Sequence, residues 1–172
     1  MKLIFLDIDG VFNSETYYRQ RKDFTPWDES KEFDRNCVDV FNKVTGETGA
    51  KIVVSSCWRK GSLNYLQTLF NMVNIHGDVI GETPKLRGES FSVPRGCEIE
   101  KMLRDVFHYP VWEWEKEKGL ICEVESYVII DDDSDMLYKQ RDNFVQTSHM
   151  YGLTELTANQ AIKILNKVEK TV

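Results

Sequence analysis

Residues 3–10, with the sequence LIFLDIDG, constrain the fold of this 172-residue chain more than any other segment. A short apolar run that ends in acids is typical of a buried strand in a parallel sheet. Asp7 and Asp9 come where that strand ends, and Gly10 allows the chain to leave it in a tight bend. Alternate residues of a strand point to the same side, so extended geometry would bring the two carboxylates together. Because ligands bind at the carboxyl ends of strands in open α/β sheets, we expect a binding site here.

A second apolar segment also ends in acids. Residues 126–130 predict another buried strand, and Asp131, Asp132, Asp133 and Asp135 follow it. If the two strands are neighbours in a parallel sheet, their acids converge at one edge. Oxygen clusters of this kind suit a hard divalent cation, and Mg²⁺ binds one or two carboxylates together with substrate phosphate. For Asp133 and Asp135, a solvated loop or a helix cap is an equally good interpretation.

Four motifs follow one another along nearly the whole chain, each attached to a predicted strand or helix. They are residues 7–10 (DIDG), residues 51–55 (KIVVS), Arg95 in the segment VPRGCEIEKML, and residues 128–132 (VIIDD). In this order the motifs resemble those of the haloacid dehalogenase (HAD) superfamily. The resemblance implies an α/β fold with three layers, Rossmann-like, with a central parallel sheet of about five strands. Together with residues 152–154 (GLT), the motifs are also similar to the HAD domains found with RNA-repair proteins, which include polynucleotide-end phosphatases.

The resemblance implies a catalytic role for each motif residue. Asp7 would be the nucleophile that forms an aspartyl-phosphate, and Asp9 would be the general acid and then the general base. Ser55 would donate a hydrogen bond to the phosphoryl group, and Arg95 would offset the charge that develops on it. Members that retain the acyl-phosphate have Thr at the second position, so Asp9 favours a phosphatase or a phosphomutase.

The same resemblance implies a Mg²⁺ site. Its ligands would be Asp7, the backbone carbonyl of Asp9, and the pair Asp131 and Asp132, with Asp132 favoured as the direct carboxylate ligand. The function expected from these residues is a Mg²⁺-dependent phosphomonoesterase. Two alternatives remain, a phosphatase of small metabolites such as sugar phosphates and a module that binds a phosphorylated ligand without turnover. A binding module would have no need for Asp9.

Several assignments around the phosphate remain open. Ser56 is an alternative to Ser55 as the phosphate donor, although Ser55 ends the strand directly. Lys85 is an alternative to Arg95, because the third motif of the family usually contains Lys. Arg59 is a further substrate-binding candidate, since a guanidinium can form two hydrogen bonds with a phosphate. It could equally be a solvated residue that opens the next helix.

The sequence leaves no gap for a separate cap domain, so we expect one domain over residues 1–172. Residues 12–33 form a flap region, and residues 108–125 form an irregular insert. An open site commonly goes with a large phosphorylated substrate, such as a nucleic-acid end. Aromatic residues near the site could stack a base or could simply be packed. They are Tyr17, Tyr18, Phe24 and Trp27 of the flap region, and Trp58.

Composition and periodicity agree with a compact α/β enzyme. The net charge of −6 argues against a broad nucleic-acid-binding surface, and the four Cys and three His show no metal-binding spacing. We expect reduced thiols, no signal peptide, no membrane segment and a cytoplasmic location. Apolar periodicity predicts helices over residues 34–48, 62–73, 96–107 and 157–169, and further strands near residues 79–80 and 144–145.

Overall fold

The computed structural model describes residues 1–21, 28–59, 62–86, 93–111, 115, 117–119 and 124–167. This part of the chain contains five strands: β1 (Lys2–Leu6), β2 (Lys51–Val54), β3 (Val79–Glu82), β4 (Ser126–Asp131) and β5 (Phe144–Gln146). They form one parallel sheet in the order β3-β2-β1-β4-β5. Helices cover both faces of the sheet, so the predicted three-layer α/β fold is confirmed.

Strand residues alternate between two apolar clusters, one on each face of the sheet. In β1, Ile4 and Leu6 belong to the larger cluster, whereas Leu3 and Phe5 belong to the smaller one. Because the strands are buried on both faces, their sequences are continuously apolar and do not alternate with polar residues. Helices α2 (Arg35–Thr48), α3 (Leu63–Met72) and α5 (Glu155–Leu165) cover the larger cluster, and α4 (Arg95–Asp105) covers the smaller one.

The register of the sheet brings three chain segments to one edge. Leu6, the last residue of β1, is paired with Val54 of β2 and with Ile130 of β4. The backbone N–H of Asp7 donates to the carbonyl of Ile130 at 3.0 Å, and the N–H of Ser55 donates to the carbonyl of Leu6 at 2.7 Å. The acids and serines that follow the strands therefore meet at the carboxyl ends of β2, β1 and β4.

Helix α4 begins beside the same edge, one residue earlier than predicted. Its N-terminal residue is Arg95, whose backbone N–H donates to the Asp135 carboxylate at 2.8 Å. The N–H of Gly96 donates to the backbone carbonyl of Asp135 at 3.3 Å. Asp135 therefore caps helix α4, because it accepts from N–H groups that have no partner within the helix. A helix cap was one of the interpretations that the sequence left open for this residue. This contact holds Arg95 next to the strand ends.

The flap region is described only in part, since residues 22–27, which include Phe24 and Trp27, lie outside the described residues. The described portion contains the short helix α1 (Glu15–Gln20) and a 3₁₀ turn over Glu29–Glu32. The Tyr17 hydroxyl donates to the Lys31 carbonyl at 2.6 Å, and the Tyr18 hydroxyl donates to Glu32 at 2.8 Å. Through these two tyrosines, helix α1 is connected to the 3₁₀ turn at the other end of the flap region.

Part of the irregular insert, residues 112–114, 116 and 120–123, also lies outside the described residues. No helix in the described part of the chain is both long enough and apolar enough to cross a membrane. The division into a single domain without a cap stays a prediction.

Candidate active site

Three carboxylates meet at the carboxyl ends of β1 and β4. One oxygen from each of Asp7, Asp131 and Asp132 lies within 4.8 Å of the others. Asp7 and Asp131 are buried, with 6% and 1% of their surfaces exposed. Asp7 Oδ1 and Asp131 Oδ2 have no hydrogen-bond partner in the described part of the chain. Buried carboxylate oxygens that lack a donor fit a bound cation, and an all-oxygen set fits Mg²⁺.

Burial changes the proton affinity of this cluster. It raises the pKa of Asp7 to about 6, although the Ser56 hydroxyl, the backbone of Ile8 and the Arg95 guanidinium oppose this shift. Burial and the charge of Asp7 raise the pKa of Asp131 to about 8. Burial, followed by the neighbouring acids, also raises the pKa of Asp132. Without a cation, each ionised carboxylate here disfavours ionisation of the others, so a divalent ion would stabilise the charged form of the cluster.

Gly10 allows Asp132 to enter the cluster. Its φ angle is +66°, and a β-carbon on Gly10 would lie 2.2 Å from Asp132 Cγ. The Gly10 N–H donates to Asn13 Oδ1 at 2.9 Å, and its carbonyl accepts from the Thr147 hydroxyl at 2.9 Å. The glycine is therefore required for the backbone conformation and for the close approach of the Asp132 carboxylate.

Asp9 lies in a different environment, although it is only two residues from Asp7. Its Oδ1 accepts from Asn13 Nδ2 at 2.9 Å, and the Trp58 Nε1–H lies 3.0 Å from each carboxylate oxygen. The Cys57 thiol donates to Oδ2 at 3.1 Å. The carboxylate of Asp9 is thus not one of the three clustered acids. In the predicted Mg²⁺ site, Asp9 took part only through its backbone carbonyl.

The two candidate serines face different partners. The Ser55 hydroxyl is buried and accepts from the Thr83 hydroxyl at 3.3 Å. The Ser56 hydroxyl is a hydrogen-bond partner of the Asp7 carboxylate, where it lowers the pKa, and it also accepts from the Trp58 N–H at 3.3 Å. Among the two, the structure therefore places Ser56 in contact with Asp7, whereas the sequence favoured Ser55 because it ends the strand.

Arg95 reaches the acidic cluster from the start of α4. Its Nε lies 3.9 Å from Asp131 Oδ2, and its guanidinium lowers the pKa of both Asp7 and Asp131. Its Nη1 lies 3.7 Å from Glu98, one turn along the helix. The sequence-predicted residues Asp7, Asp131, Asp132, Ser56 and Arg95 are therefore brought together.

The chain matches the family model described as the HAD domain in Swiss Army Knife RNA repair proteins, over residues 3–158. The chain belongs to this HAD family. The matched range contains strands β2 to β5, all of β1 except Lys2, and the three clustered acids. Proteins with HAD domains are generally hydrolases or phosphatases, and they typically use Mg²⁺. Neither the comparison with curated proteins nor the comparison with solved structures gives a match.

Arg59 does not face the surface of this HAD domain. Its side chain is only 5% exposed and forms an ion pair with buried Glu98 at 2.8 Å. It also donates to the backbone carbonyls of Ser56 and Thr83. Neither interpretation drawn from the sequence, a free phosphate ligand or a solvated residue, describes this position. Arg59 instead joins the loop after β2, the end of β3 and helix α4 through buried hydrogen bonds.

Lys85 and Trp58 are also engaged with the protein. Lys85 Nζ donates to the backbone carbonyl of Arg59, whereas Arg95 Nε lies 3.9 Å from Asp131 Oδ2 in the acidic cluster. Trp58 is half-buried, its ring lies edge-on to Phe33 at 5.6 Å, and its indole N–H is directed at Asp9. The indole N–H of Trp58 therefore already has a hydrogen-bond acceptor within the domain.

Sequence reasoning missed Asn13, Thr83 and Glu98. Asn13 follows Asp9 by four residues, and an Asn shortly after an Asp-x-Asp-Gly bend was a local signal for a side chain that closes the turn. Glu98 lies one helical turn after Arg95, which was a signal for an ion pair. Thr83 carried no comparable signal, because its contact with Ser55 depends on the pairing of β2 with β3.

Proposed function

We propose that this HAD domain is a Mg²⁺-dependent phosphomonoesterase that works through an aspartyl-phosphate on Asp7. The observation that carries the proposal is the separation of Asp7 and Asp9 into two environments. Among the described residues, one buried oxygen of Asp7 has no hydrogen-bond donor and Asp7 lies among acids, whereas Asp9 lies among donors outside that group. Two carboxylates in different surroundings can take two roles, one as nucleophile and one as proton carrier.

The first step transfers the phosphoryl group to the protein. A carboxylate oxygen of Asp7 attacks phosphorus, and the bond from phosphorus to the oxygen of the leaving group breaks. The carboxyl group of Asp9 gives its proton to that departing oxygen, so that an alcohol leaves and Asp9 becomes a carboxylate.

The second step regenerates the protein. Asp9 takes a proton from a water molecule while the water oxygen attacks phosphorus. The bond between phosphorus and the Asp7 oxygen then breaks, which releases inorganic phosphate and restores the Asp7 carboxylate. Asp9 carries the proton that the next cycle needs, so the two steps together consume one water molecule for each ester.

The surroundings of Asp7 support binding of a phosphoryl group. Arg95 supplies a guanidinium beside Asp7 and Asp131, and Ser55 or Ser56 supplies a hydroxyl at the end of β2. Asp7, Asp131 and Asp132 would hold Mg²⁺, with the carbonyl of Asp9 as a further ligand. When bound there, Mg²⁺ would neutralise the clustered carboxylates and polarise the phosphoryl oxygens.

The substrate class that we propose is a phosphorylated nucleic-acid end or nucleotide. The description of the matched family, which refers to RNA repair proteins, supports this choice. The absence of a predicted cap domain supports it as well, because an open site must gain binding energy from contacts at its rim. A base stacked on an aromatic side chain contributes roughly 1–3 kcal/mol of binding free energy, so an oligonucleotide can bind such a site more tightly than a small ester does.

A screen of phosphomonoesters tests the proposal. It should include oligonucleotides with a phosphate at the 3′ or the 5′ end, the matching mononucleotides and a sugar phosphate, each with Mg²⁺ and with a chelator. We expect release of phosphate only with the metal, and a kcat/KM about tenfold or more higher for an oligonucleotide than for its mononucleotide. Equal or better turnover of the small esters would rule out the nucleic-acid end.

Two variants test the mechanism. Asp7→Asn should abolish phosphate release, and Asp9→Asn should reduce it by about a hundredfold or more, because each carboxylate has its own step. Circular dichroism checks that both variants remain folded. Undiminished turnover by folded Asp7→Asn would exclude covalent catalysis through this residue.

A further inference from the structure

In the part of the chain that the structure describes, three donors from two different segments hold the carboxylate of Asp9. Asn13 comes from the turn after β1, whereas Cys57 and Trp58 come from the loop after β2. The indole N–H of Trp58 lies at 3.0 Å from both oxygens, so it opposes rotation of the carboxylate in either direction. A thiol is a weak donor, so the restraint comes chiefly from Trp58 and Asn13.

Trp58 is itself fixed on two sides. Its ring is edge-on to Phe33, with the ring centres 5.6 Å apart, and it packs against the larger apolar cluster. Its backbone N–H donates to the Ser56 hydroxyl at 3.3 Å, and Ser56 in turn contacts Asp7. A side chain that is restrained at the ring and at the backbone can hold the group to which it donates.

Asn13 is restrained in the same manner. Its side chain is buried, with 3% of the residue exposed, and its Oδ1 accepts from the N–H of Gly10 at 2.9 Å. Its Nδ2 is therefore directed at Asp9 with little freedom to rotate. One amide group thus connects the bend after β1 to the carboxylate that follows the strand.

We propose that Trp58 and Asn13 are positioning residues, which hold the Asp9 carboxyl group in place for its transfer of a proton to the leaving oxygen. This inference rests on the proposed phosphatase function and assigns to Trp58 a task other than stacking on a base. A proton transfer depends steeply on the position of the acid, so the loss of one restraint should slow it.

The dependence on the leaving group separates this role from a purely structural one. A phosphate ester of a simple alcohol needs its leaving oxygen protonated, whereas nitrophenyl phosphate releases a stable phenolate and needs little help. Trp58→Phe retains an aromatic ring and removes the N–H. We expect it to lower kcat/KM for the alkyl ester about tenfold or more and kcat/KM for nitrophenyl phosphate by less than about threefold. This ratio reports only the steps up to formation of the aspartyl-phosphate, so the role of Asp9 as base in the second step, which is common to both esters, does not enter it.

Two further variants serve as controls. Phe33→Leu removes packing against Trp58 but no hydrogen bond, and it should change kcat/KM for the two esters by the same factor. Cys57→Ala removes the weak thiol donor and should cause a smaller selective loss than Trp58→Phe. Asn13→Leu, which removes the amide, should cause a selective loss in the same direction as Trp58→Phe.

A spectroscopic measurement tests the contact without turnover. Trp58→Phe identifies the indole N–H resonance of Trp58 in a ¹⁵N correlation spectrum of the full chain. Asp9→Asn should shift this resonance and increase its exchange with water, because the carboxylate acceptor is replaced by an amide. An unshifted resonance would overturn the contact and with it the positioning role.

The outcomes separate this inference from the function on which it rests. Selective loss on the alkyl ester together with the shifted resonance supports the positioning role. Equal loss on both esters in an active enzyme overturns the role and leaves the phosphatase function standing. A folded wild-type protein that releases no phosphate from either ester, or from the phosphorylated oligonucleotides and nucleotides of the screen, overturns the phosphatase function, and the positioning role falls with it.

Discussion

The carboxylate of Asp132 lies directly against the backbone of Gly10, where a side chain on Gly10 would overlap Asp132 Cγ at 2.2 Å. The two residues come from the ends of neighbouring strands that are more than a hundred positions apart in the sequence. Gly10 belongs to the motif of residues 7–10, but the absence of a side chain there is a steric requirement of Asp132 in the motif of residues 128–132.

Gly10→Ala should therefore damage both stability and metal binding. Gly49→Ala is a matched control, since Gly49 has nearly the same φ angle, +63°, and a β-carbon added there would have no atom of the described residues within 4 Å apart from its own chain neighbours. The control should lose only the cost of a left-handed residue, about 1–2 kcal/mol. Gly10→Ala should lose more than the control in denaturant unfolding, and it should also weaken Mg²⁺ binding. Equal losses and unchanged Mg²⁺ binding would show that Asp132 does not depend on this contact.

Mg²⁺ should stabilise the protein, and Asp132 should be needed for this effect. A ligand at a hundred times its Kd stabilises the folded state by about 2.7 kcal/mol, which is measurable as a rise in Tm with Mg²⁺ concentration. Asp132→Ala should remove most of the rise because it deletes a ligand oxygen. Asp133→Ala makes the same change in charge at an exposed neighbour outside the cluster and should retain most of it. A normal rise in Asp132→Ala would assign the ligand role to Asp131 instead.

Without metal, stability should fall as the pH rises. The pKa of Asp7 is raised to about 6 and that of Asp131 to about 8, so the folded state binds protons more tightly than the unfolded state does. Their contribution to stability is present below the ordinary value of 3.8 and is lost as the pH rises towards about 8. In chelator, the stability of wild type relative to Asp131→Asn should decrease over this window. A relative stability that increases with pH would contradict the raised pKa values.

The buried pair of Arg59 and Glu98 should be structural. Arg59→Met leaves a buried carboxylate without its main partner and should cost about 3–5 kcal/mol of unfolding free energy. The double variant with Glu98→Gln should lose less than the sum of the two single changes. Lys101→Met, in the exposed pair Lys101–Asp105, is the control and should cost about 1 kcal/mol or less. A stable Arg59→Met protein with only a raised KM would instead support the substrate-binding interpretation.

Local patterns predicted most of the fold. The strand before Asp7, the strand before Asp131 and the four longer helices are present within a few residues of their predicted bounds, because apolar periodicity reflects burial directly. The order of the strands could not be predicted in the same manner, since it depends on contacts between distant segments. The start of α4 at Arg95 was missed because its cap, Asp135, comes from the loop after β4.

The candidate site was predictable where a motif residue acts at the end of its own strand. Asp7, Asp131 and Asp132 converge because β1 pairs with β4 in the parallel sheet, which was the condition on which the prediction depended. The positions of Arg59 and Trp58 were not predictable, because nothing in a local sequence shows whether a side chain turns towards Glu98 or Asp9. Those orientations are decided by tertiary packing.

The central position of β1 in the sheet has a consequence for the order of events during synthesis on the ribosome. One neighbour, β2, is made about 45 residues after β1, but the other, β4, is made only after about 120 residues. Until then, the strand that carries Asp7 has one unpaired edge, which is open to incorrect pairing. A nascent chain that lacks β4 also lacks Asp131 and Asp132, so premature termination would yield polypeptides with Asp7 but without the three-carboxylate group.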